Sequence, residues 1–166
     1  MVSIADYDVI IKGEFRCVLG REEVPCPCCG GKLHVYGTCI RKVREGDGTH
    51  KYRLRVLLCR NCGKFHRELP DCIIPYKRTG LAAFCETVET EDDQYPCEES
   101  TWRRMRSWME RFLTNARYVE RSLIYSGLRP RTGGPGDSLA RQVKYFVRLV
   151  LNSGNWIHNR SAMTVP

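Results

Sequence analysis

The chain has 166 residues, of which 42% are hydrophobic, and a formal net charge of +8. This length predicts one large domain or two small ones, with enough apolar residues for a packed core. The sequence contains no run of 18 apolar residues, and its first twenty residues lack the apolar region of a secretory signal. We therefore expect neither a membrane span nor secretion, and predict a cytoplasmic protein.

The positive charge is concentrated in two blocks. Residues 30–78 hold 12 Lys and Arg against 4 Asp and Glu, and residues 100–166 hold 12 against 3. Acidic residues cluster in residues 1–23 and 86–99, so an acidic segment separates the two basic blocks. This pattern favours a partner with a phosphate backbone over an ordinary charged surface.

The first half of the chain has the pattern of a small β unit. Three segments rich in β-branched, aliphatic and aromatic residues are predicted as strands: 7–13, 32–44 and 51–59. Asp47 and Gly48, between the second and third segments, form a strong β-hairpin signal. Pro70 and Pro75 oppose helix formation, so residues 68–78 are predicted to be a linker.

From Gly80 onward, the apolar residues recur with the period of a helix. Three helices are predicted: a short one at 80–89, a long one that extends through 123, and a last one at 139–152. Ser100 or Glu99 is expected to cap the long helix, and Ser138 the last one. The acidic interval 89–98 and the Gly/Pro-rich loop 126–137 separate the helices.

Four of the ten cysteines form two CxxC pairs, each followed by glycine. The predicted metal ligands are Cys26, Cys29, Cys59 and Cys62. Two such pairs, brought together by a hairpin, supply the four tetrahedral ligands of a closed zinc site, which stabilises structure rather than performing catalysis. We expect one structural Zn²⁺. A redox role would require a thioredoxin-like βαβ pattern, which the sequence lacks.

Two residues near these pairs are further candidates. Cys28 lies inside the first pair, but Cys26 and Cys29 have the ligand spacing, so Cys28 is expected to point elsewhere. His66 lies four residues after Cys62, and we assign it a structural or DNA-facing role. A site of three cysteines and one histidine remains the alternative for His66.

The predicted fold class is therefore α+β. A four-cysteine zinc ribbon, with a lead-in strand, occupies residues 1–75, and a helical, helix-turn-helix-like domain occupies residues 76–166. In this arrangement the start of the long helix would lie in the major groove of DNA. The ten-residue interval 89–98 is longer than the 3–4-residue turn typical of that motif, which counts against it.

Fourteen residues are predicted to contact nucleic acid, mainly because few acids lie nearby to neutralise them. Arginine suits bidentate contacts to guanine, and Ser and Thr suit contacts to phosphate. They are His66, the ribbon residues Arg41, Arg44, Arg53 and Arg55, the linker residues Lys77 and Arg78, and the helix residues Ser100, Thr101, Arg103, Arg104, Arg106, Ser107 and Arg111. An ordinary solvated arginine face is the alternative for the helix.

No catalytic motif is present: the sequence has no GxSxG, HExxH, P-loop or GxGxxG pattern. The acidic pairs Asp92/Asp93 and Glu98/Glu99 lie in one loop, whereas a metal-dependent nuclease needs carboxylates that converge from separate elements. We therefore predict that the protein is not an enzyme and takes no small-molecule substrate.

The segments CPCCGGKLHVYGTCIRKV, YRLRVLLCRNCGKFHRELPDCIIPYKR and STWRRMRSWMERF resemble the zinc-ribbon head of certain insertion-sequence transposases. In those heads a CPxCG…CxxC…H ribbon precedes a helix-turn-helix that binds the ends of the element. The resemblance covers residues 24–112 best. With the later segment SGNWIHNRSA, it indicates a small uncharacterised family of stand-alone proteins carried on bacterial mobile elements.

By this resemblance, the four cysteines match the metal ligands, and Arg103, Arg104 and Arg106 fall in the recognition helix. No acidic transposase domain follows in the sequence, so strand transfer is not implied.

The expected function is a zinc-stabilised protein that binds double-stranded DNA and associates with the bacterial nucleoid. It would be a non-catalytic accessory or regulator of transposition or recombination, with a separately encoded recombinase or transposase as a possible partner. One alternative is a zinc-ribbon module that docks on a recombinase or RNA polymerase. Others are a small metal-dependent nuclease and an RNA-binding protein.

Overall fold

The computed structural model describes residues 1–90, 96–128 and 134–156, and it shows a mixed α+β fold. Within these residues there are six strands: β1 (Val2–Ile4), β2 (Tyr7–Lys12), β3 (Phe15–Gly20), β4 (Leu33–Glu45), β5 (Gly48–Cys59) and β6 (Phe65–Pro70). The helices are α1 (Leu81–Glu89), α2 (Glu99–Tyr125) and α3 (Leu139–Asn152). The predicted α+β class is confirmed. Asp92 and Asp93 lie outside the described residues, as do parts of the interval 89–98 and the loop 126–137.

Strand β5 is at the centre of a curled sheet. Strand β4 pairs with it antiparallel along almost its whole length. Its other edge is divided: β3 runs parallel beside residues 51–53, and β6 runs antiparallel beside residues 56–58. Strand β2 extends the sheet from β3, and β1 extends it from β6. This one long strand therefore links the end of the sheet that carries the cysteine pairs to the sheet face that packs on the helices.

The predicted hairpin between β4 and β5 is confirmed. Glu45 pairs with Gly48, so Gly46 and Asp47 form the two-residue turn, one position earlier than the predicted Asp47-Gly48 pair. Gly48 takes a positive φ of 135°, a conformation that glycine adopts at little steric cost. A one-residue shift of register between Val35 and Gly37 then brings Leu33 opposite Cys59 at the far end of the hairpin.

Three strands were not predicted as separate elements. Strand β1 has only three residues, and β3 makes a parallel pair with a strand more than thirty residues away. The linker prediction for residues 68–78 was wrong at its start, because β6 continues to Pro70. A proline is compatible with the end of a strand, where its missing N–H breaks no ladder hydrogen bond.

The helices pack on the sheet and share one hydrophobic core with it. Val43, Leu54 and Leu69 of the sheet belong to the same buried cluster as Phe112 of α2 and Phe146 of α3. The core thus takes side chains from both sides of residue 75, and the sheet that carries the cysteines is continuous with the support for the helices.

The long helix differs from its prediction at its start. It begins at Glu99 with Glu98 at the N-cap, whose side chain makes no capping hydrogen bond, so neither Ser100 nor Glu99 is the cap. Trp108, off the main apolar stripe, packs edge-on against Phe84 of α1 at 5.4 Å between ring centroids. The helix-turn-helix remains a prediction, since residues 91–95 of the connection are not described.

Helix α3 is capped by Ser138 as predicted, since the side chain of Ser138 accepts a hydrogen bond from the N–H of Arg141. Its far end covers the free edge of β1. The side chain of Asn152 accepts from the N–H of Ser3 at 2.8 Å and donates to the carbonyl of Ser3 at 2.9 Å. The Asn152 side chain thus makes the two hydrogen bonds that the backbone of a neighbouring strand would otherwise make with Ser3.

Replacing Asn152 by alanine is expected to lower the free energy of unfolding by about 1–3 kcal/mol, because two buried backbone groups of Ser3 lose their partners. Denaturant titration measures the change. Gln142→Ala, on the same helix, is the control and should change stability by less than about 0.5 kcal/mol. Equal effects of the two variants would contradict the role of Asn152.

A second link attaches α3 to the loop after β3. Both terminal nitrogens of the Arg148 guanidinium donate to the Glu22 carboxylate, at 2.8 and 2.5 Å. These hydrogen bonds, helped by the N–H groups of Ala5 and Asp6, lower the pKa of Glu22 to about 2. The carboxylate is therefore more stable in the folded chain than in the unfolded chain.

Because the pKa of Glu22 is depressed on folding, its contribution to stability is present above its ordinary value of 4.5 and is lost as the pH falls towards 2. Glu22→Gln should therefore be less stable than the wild type near neutral pH, and the difference should shrink through this window. Denaturant midpoints at several pH values measure it. The neighbouring, exposed Glu23→Gln is the control, and a constant difference for Glu22→Gln would contradict the prediction.

Candidate metal centre and basic cleft

The two CxxC pairs form two similar turns, here called knuckles, at the open end of the β4–β5 hairpin. The first knuckle (residues 26–31) precedes β4, and the second (residues 59–64) follows β5. In each, the N–H of the glycine after the pair donates to the carbonyl of the first cysteine at 2.8 Å. The glycines, Gly30 and Gly63, have φ values of 72° and 70°, in the left-handed region that disfavours larger residues.

The knuckles bring the four predicted ligands together. All four Sγ atoms lie within 4.8 Å of one another, with Cys26 3.7 Å from Cys62 and Cys29 3.5 Å from Cys59. Zinc–sulfur bonds of about 2.3 Å in a tetrahedron place neighbouring sulfurs about 3.8 Å apart, so the spacing fits a metal ion. The structure confirms that these cysteines form a cluster able to bind a metal.

The backbone around the cluster favours thiolates, the form of cysteine that binds metals. The N–H of Cys62 is the main cause that lowers the pKa of Cys59 to about 7. For Cys29, the N–H of Gly31 also lowers the pKa, but hydrogen bonds with Cys59 and Cys62, together with burial, outweigh it and raise the value to about 12. Backbone N–H groups thus stabilise the thiolate of Cys59, the form that would bind a metal.

His66 lies beside this cluster and faces inward. Only 4% of its surface is exposed, and its Nε2 lies 3.4 Å from Sγ of Cys26. Burial lowers the pKa of His66 to about 4, so the ring is neutral at physiological pH. The structure therefore removes His66 from the predicted DNA-facing residues, because its ring is not accessible to a nucleic acid.

A surface cleft of about 640 Å³ lies between β4, β6 and the segment after Pro75. Six cationic residues line it: Arg41, Lys42, Arg44, Arg67, Lys77 and Arg78. No acidic residue is among its lining residues in the described part of the chain. We call this surface the basic cleft. It brings together four of the residues predicted from sequence.

The cationic groups of the cleft have different roles. The Arg41 guanidinium donates to the carbonyls of Ile74 and Lys77 at 2.7 and 2.6 Å, and burial lowers its pKa. Arg41 therefore holds the wall of the cleft rather than presenting its charge outward. Arg44 and Arg78, by contrast, are exposed, and the backbone N–H of Arg44 donates to the carbonyl of Arg78 at 2.7 Å.

Lys77 joins the cleft to the long helix. Its ammonium group lies 4.2 Å from the centre of the Trp108 ring, a cation–π contact. Burial is the main cause that lowers its pKa to about 8, and the charges of Arg111 and Arg104 lower it further. These two arginines of α2 therefore lie close enough to extend the positive surface beyond the cleft.

Tyr76, between Pro75 and Lys77, is 57% exposed in the cleft wall. It is the one non-glycine residue of the described chain with a positive φ, at 62°. A tyrosine in this region is strained. The hydrogen bonds of Arg41 to the carbonyls of Ile74 and Lys77 lie on either side of it.

The predicted contact residues at the start of α2 are exposed, except Thr101, which is half-buried. Several have partners within the helix. Arg103 pairs with Glu99, and Arg106 lies 3.8 Å from Glu110 and 5.1 Å from the centre of the Trp102 ring. Arg104 donates to the Thr101 hydroxyl at 3.1 Å, and Arg111 to the Ser107 carbonyl at 3.3 Å. Ser100 and Ser107 are exposed on the same helix.

Two of the four predicted ribbon contacts, Arg53 and Arg55, lie outside the cleft. Arg53 and Arg55 share one face of β5, as predicted, because they alternate with the buried Tyr52 and Leu54. Arg55, however, donates two hydrogen bonds of 2.6 Å to Glu68, whose side chain is only 3% exposed. Arg55 thus neutralises a buried carboxylate, which favours a structural role, and its DNA contact stays a prediction. Arg53 lies over the Phe15 ring at 4.6 Å.

Two cationic residues of the cleft, Lys42 and Arg67, were not predicted from the sequence. Lys42 lies two residues before Arg44 on β4, and alternation places both on one face of the strand. That spacing was the available signal for Lys42. Arg67 could not be found in this way, because β6 was not predicted as a separate strand and its position next to β5 depends on pairing with Val56.

A family model matches part of the chain. Residues 26–105 match the family described as Domain of unknown function (DUF6431). The matched segment contains both knuckles, the whole basic cleft apart from Met1, and the first residues of α2. No curated protein and no solved structure matches the chain. Among the described residues, no helix combines the length and apolar character needed to cross a membrane.

If the cluster holds a metal that stabilises the fold, Cys59→Ser should lose the ion and unfold the hairpin end of the sheet. Metal content per chain and the circular-dichroism melting curve measure the two effects. Cys97→Ser, at a cysteine outside the cluster, is the control and should keep both the metal and the melting temperature. A metal-free Cys59→Ser protein with an unchanged spectrum and melting temperature would rule out a structural role.

Proposed function

We propose that the protein is a zinc-stabilised, non-catalytic DNA-binding protein in which the basic cleft and the start of α2 contact one duplex. The observation that carries this proposal is the basic cleft, with its six cations and no acidic lining residue. An ordinary protein surface interleaves acids with its Lys and Arg, whereas a site for a phosphate backbone collects cations without them.

Zinc is the ion that the cluster's chemistry favours. Four thiolates on two CxxC pairs form a closed tetrahedral set, which is typical of structural zinc. The two knuckles, the β4–β5 hairpin and β6 together form what we propose to be a zinc ribbon.

The metal site and the cleft are connected through the same strands. Strand β4 leaves the first knuckle and carries Arg41, Lys42 and Arg44, while β6 leaves the second knuckle and carries Arg67. A metal that joins the knuckles therefore fixes the two walls of the cleft relative to each other. In this proposal zinc supports DNA binding without contacting DNA.

We further propose that Arg104 and Arg111 of α2 extend the contact, because both lie near Lys77 at the end of the cleft. The helix-turn-helix interpretation places α2 in the major groove. A role as an accessory or regulator of transposition or recombination rests on the sequence resemblance to transposase heads alone, as does a separately encoded recombinase or transposase as partner.

A second candidate is a module that docks on a protein. Val35, Tyr36 and Phe65 beside the knuckles are each more than half exposed, and the rings of Tyr36 and Phe65 contact edge-to-face at 4.9 Å. Exposed aromatic residues of this kind occur at protein interfaces. Such binding would depend little on salt, which separates it from binding by the cleft.

The test is binding of the zinc-loaded protein to a pool of random DNA duplexes across a salt series, followed by sequencing of the retained fraction. The proposal predicts affinity that falls steeply with salt and a recovered sequence motif. The same series with duplex and single-stranded RNA identifies an RNA preference. Weak binding to every nucleic acid, independent of salt, would favour the docking module.

Matched variants locate the contact. Arg44→Ala with Arg78→Ala should reduce the slope of log affinity against log salt by about 2, since each phosphate contact contributes about 0.9 to it. Arg104→Ala with Arg111→Ala should weaken binding in the same way. Arg21→Ala, at an exposed arginine outside the cleft, is the control. An unchanged slope in both double variants would place the DNA contact elsewhere.

A further inference from the structure

The first knuckle carries a thiol that the four-cysteine site does not use. Sγ of Cys28, Sγ of Cys26 and a ring nitrogen of His66 all lie within 4.8 Å of one another. Within this group, the distance from Cys26 to His66 is 3.4 Å. The three atoms form a second set of metal-binding donors, which shares Cys26 with the first set.

We propose that Cys26, Cys28 and His66 bind a second ion of the zinc class, with the Cys26 thiolate as a bridge between the two ions. The proposal rests on metal binding by the four cysteines, because the bridge belongs to both sites. Thiolate and imidazole are donors that favour zinc and similar borderline or soft ions over calcium or magnesium.

The geometry fits this second ion. Zinc–nitrogen bonds of about 2.0–2.1 Å and zinc–sulfur bonds of about 2.3 Å in a tetrahedron place N and S about 3.6 Å apart. The observed 3.4 Å between His66 and Cys26 is close to that value. Since Cys28 is exposed, the fourth position faces solvent. The second ion should therefore bind more weakly than the ion enclosed by four thiolates.

The donors are also held in place before any ion binds. His66 is buried on β6, and its other ring nitrogen, Nδ1, lies 3.3 Å from the amino nitrogen of Met1. The N–H of Cys26 donates to the carbonyl of Gly31 at 2.8 Å, which fixes the first knuckle.

A simpler arrangement is a hydrogen bond from the Nε2–H of His66 to the Cys26 sulfur, with no second ion. It would have a similar distance, but it gives no role to Cys28. Two variants separate the possibilities. Cys28→Ser removes a thiolate at an exposed position, where the fold should tolerate the change. His66→Gln keeps a donor that can reach Cys26 but removes the imidazole ligand.

The experiment is an anaerobic titration of the reduced, metal-free full chain with Co²⁺, followed by the thiolate-to-cobalt absorption, with zinc content after reloading as a second measure. The wild type should take up two ions per chain in two steps of different affinity. Cys28→Ser and His66→Gln should each take up one ion. The Cys28→Ser protein with its one ion should melt at the same temperature as the wild type with one ion bound. Cys39→Ser, at a cysteine outside both donor sets, is the control and should take up two.

Each other outcome overturns the inference, and they differ in what they imply. One ion in the wild type, unchanged in Cys28→Ser, leaves the four-cysteine site intact and removes the second site. No bound ion removes the proposed zinc site as well. Two ions that persist in both variants would place the second ion elsewhere in the protein.

Discussion

Strand β5 is the constraint on which the rest of the structure depends, because it pairs on both edges and ends at Cys59, one of the four clustered cysteines. Its partners come from three separate segments of the chain: β3 before the first knuckle, β4 after it, and β6 after the second knuckle. Its alternation buries Tyr52 and Leu54 against the helices. A shift of one residue in its register would expose these core side chains and separate the cysteines.

The features that the sequence predicted well are local ones. Each CxxC pair with its glycine specifies one knuckle, and a hairpin signal between them is sufficient to bring the pairs together. The α3 helix was equally predictable, because Ser138 and the spacing of Val143, Phe146 and Val150 lie on adjacent turns. In these cases the residues that make an element also determine its partners.

What the sequence could not predict depends on contacts between distant residues. The parallel pairing of β3 with β5 leaves no local turn signal in the sequence. Pro70, the last residue of β6, favoured a linker prediction where the strand ends. The sequence also could not show which arginines form ion pairs and which are exposed. Arg55 and Arg44 both occur in basic strands, yet one neutralises the buried Glu68 and the other is exposed in the cleft. Only the three-dimensional arrangement shows which acid, if any, lies within reach.

The concentration of positive charge in the basic cleft has a consequence for how the protein behaves in solution. Cations that line one cleft without acids repel one another, and this repulsion opposes folding when the ionic strength is low. Dissolved salt screens this repulsion, so added salt should raise the folding stability of the free protein and lower its affinity for a polyanion. A bound polyanion would itself relieve the repulsion, and therefore the complex and the free protein should respond to ionic strength with opposite sign.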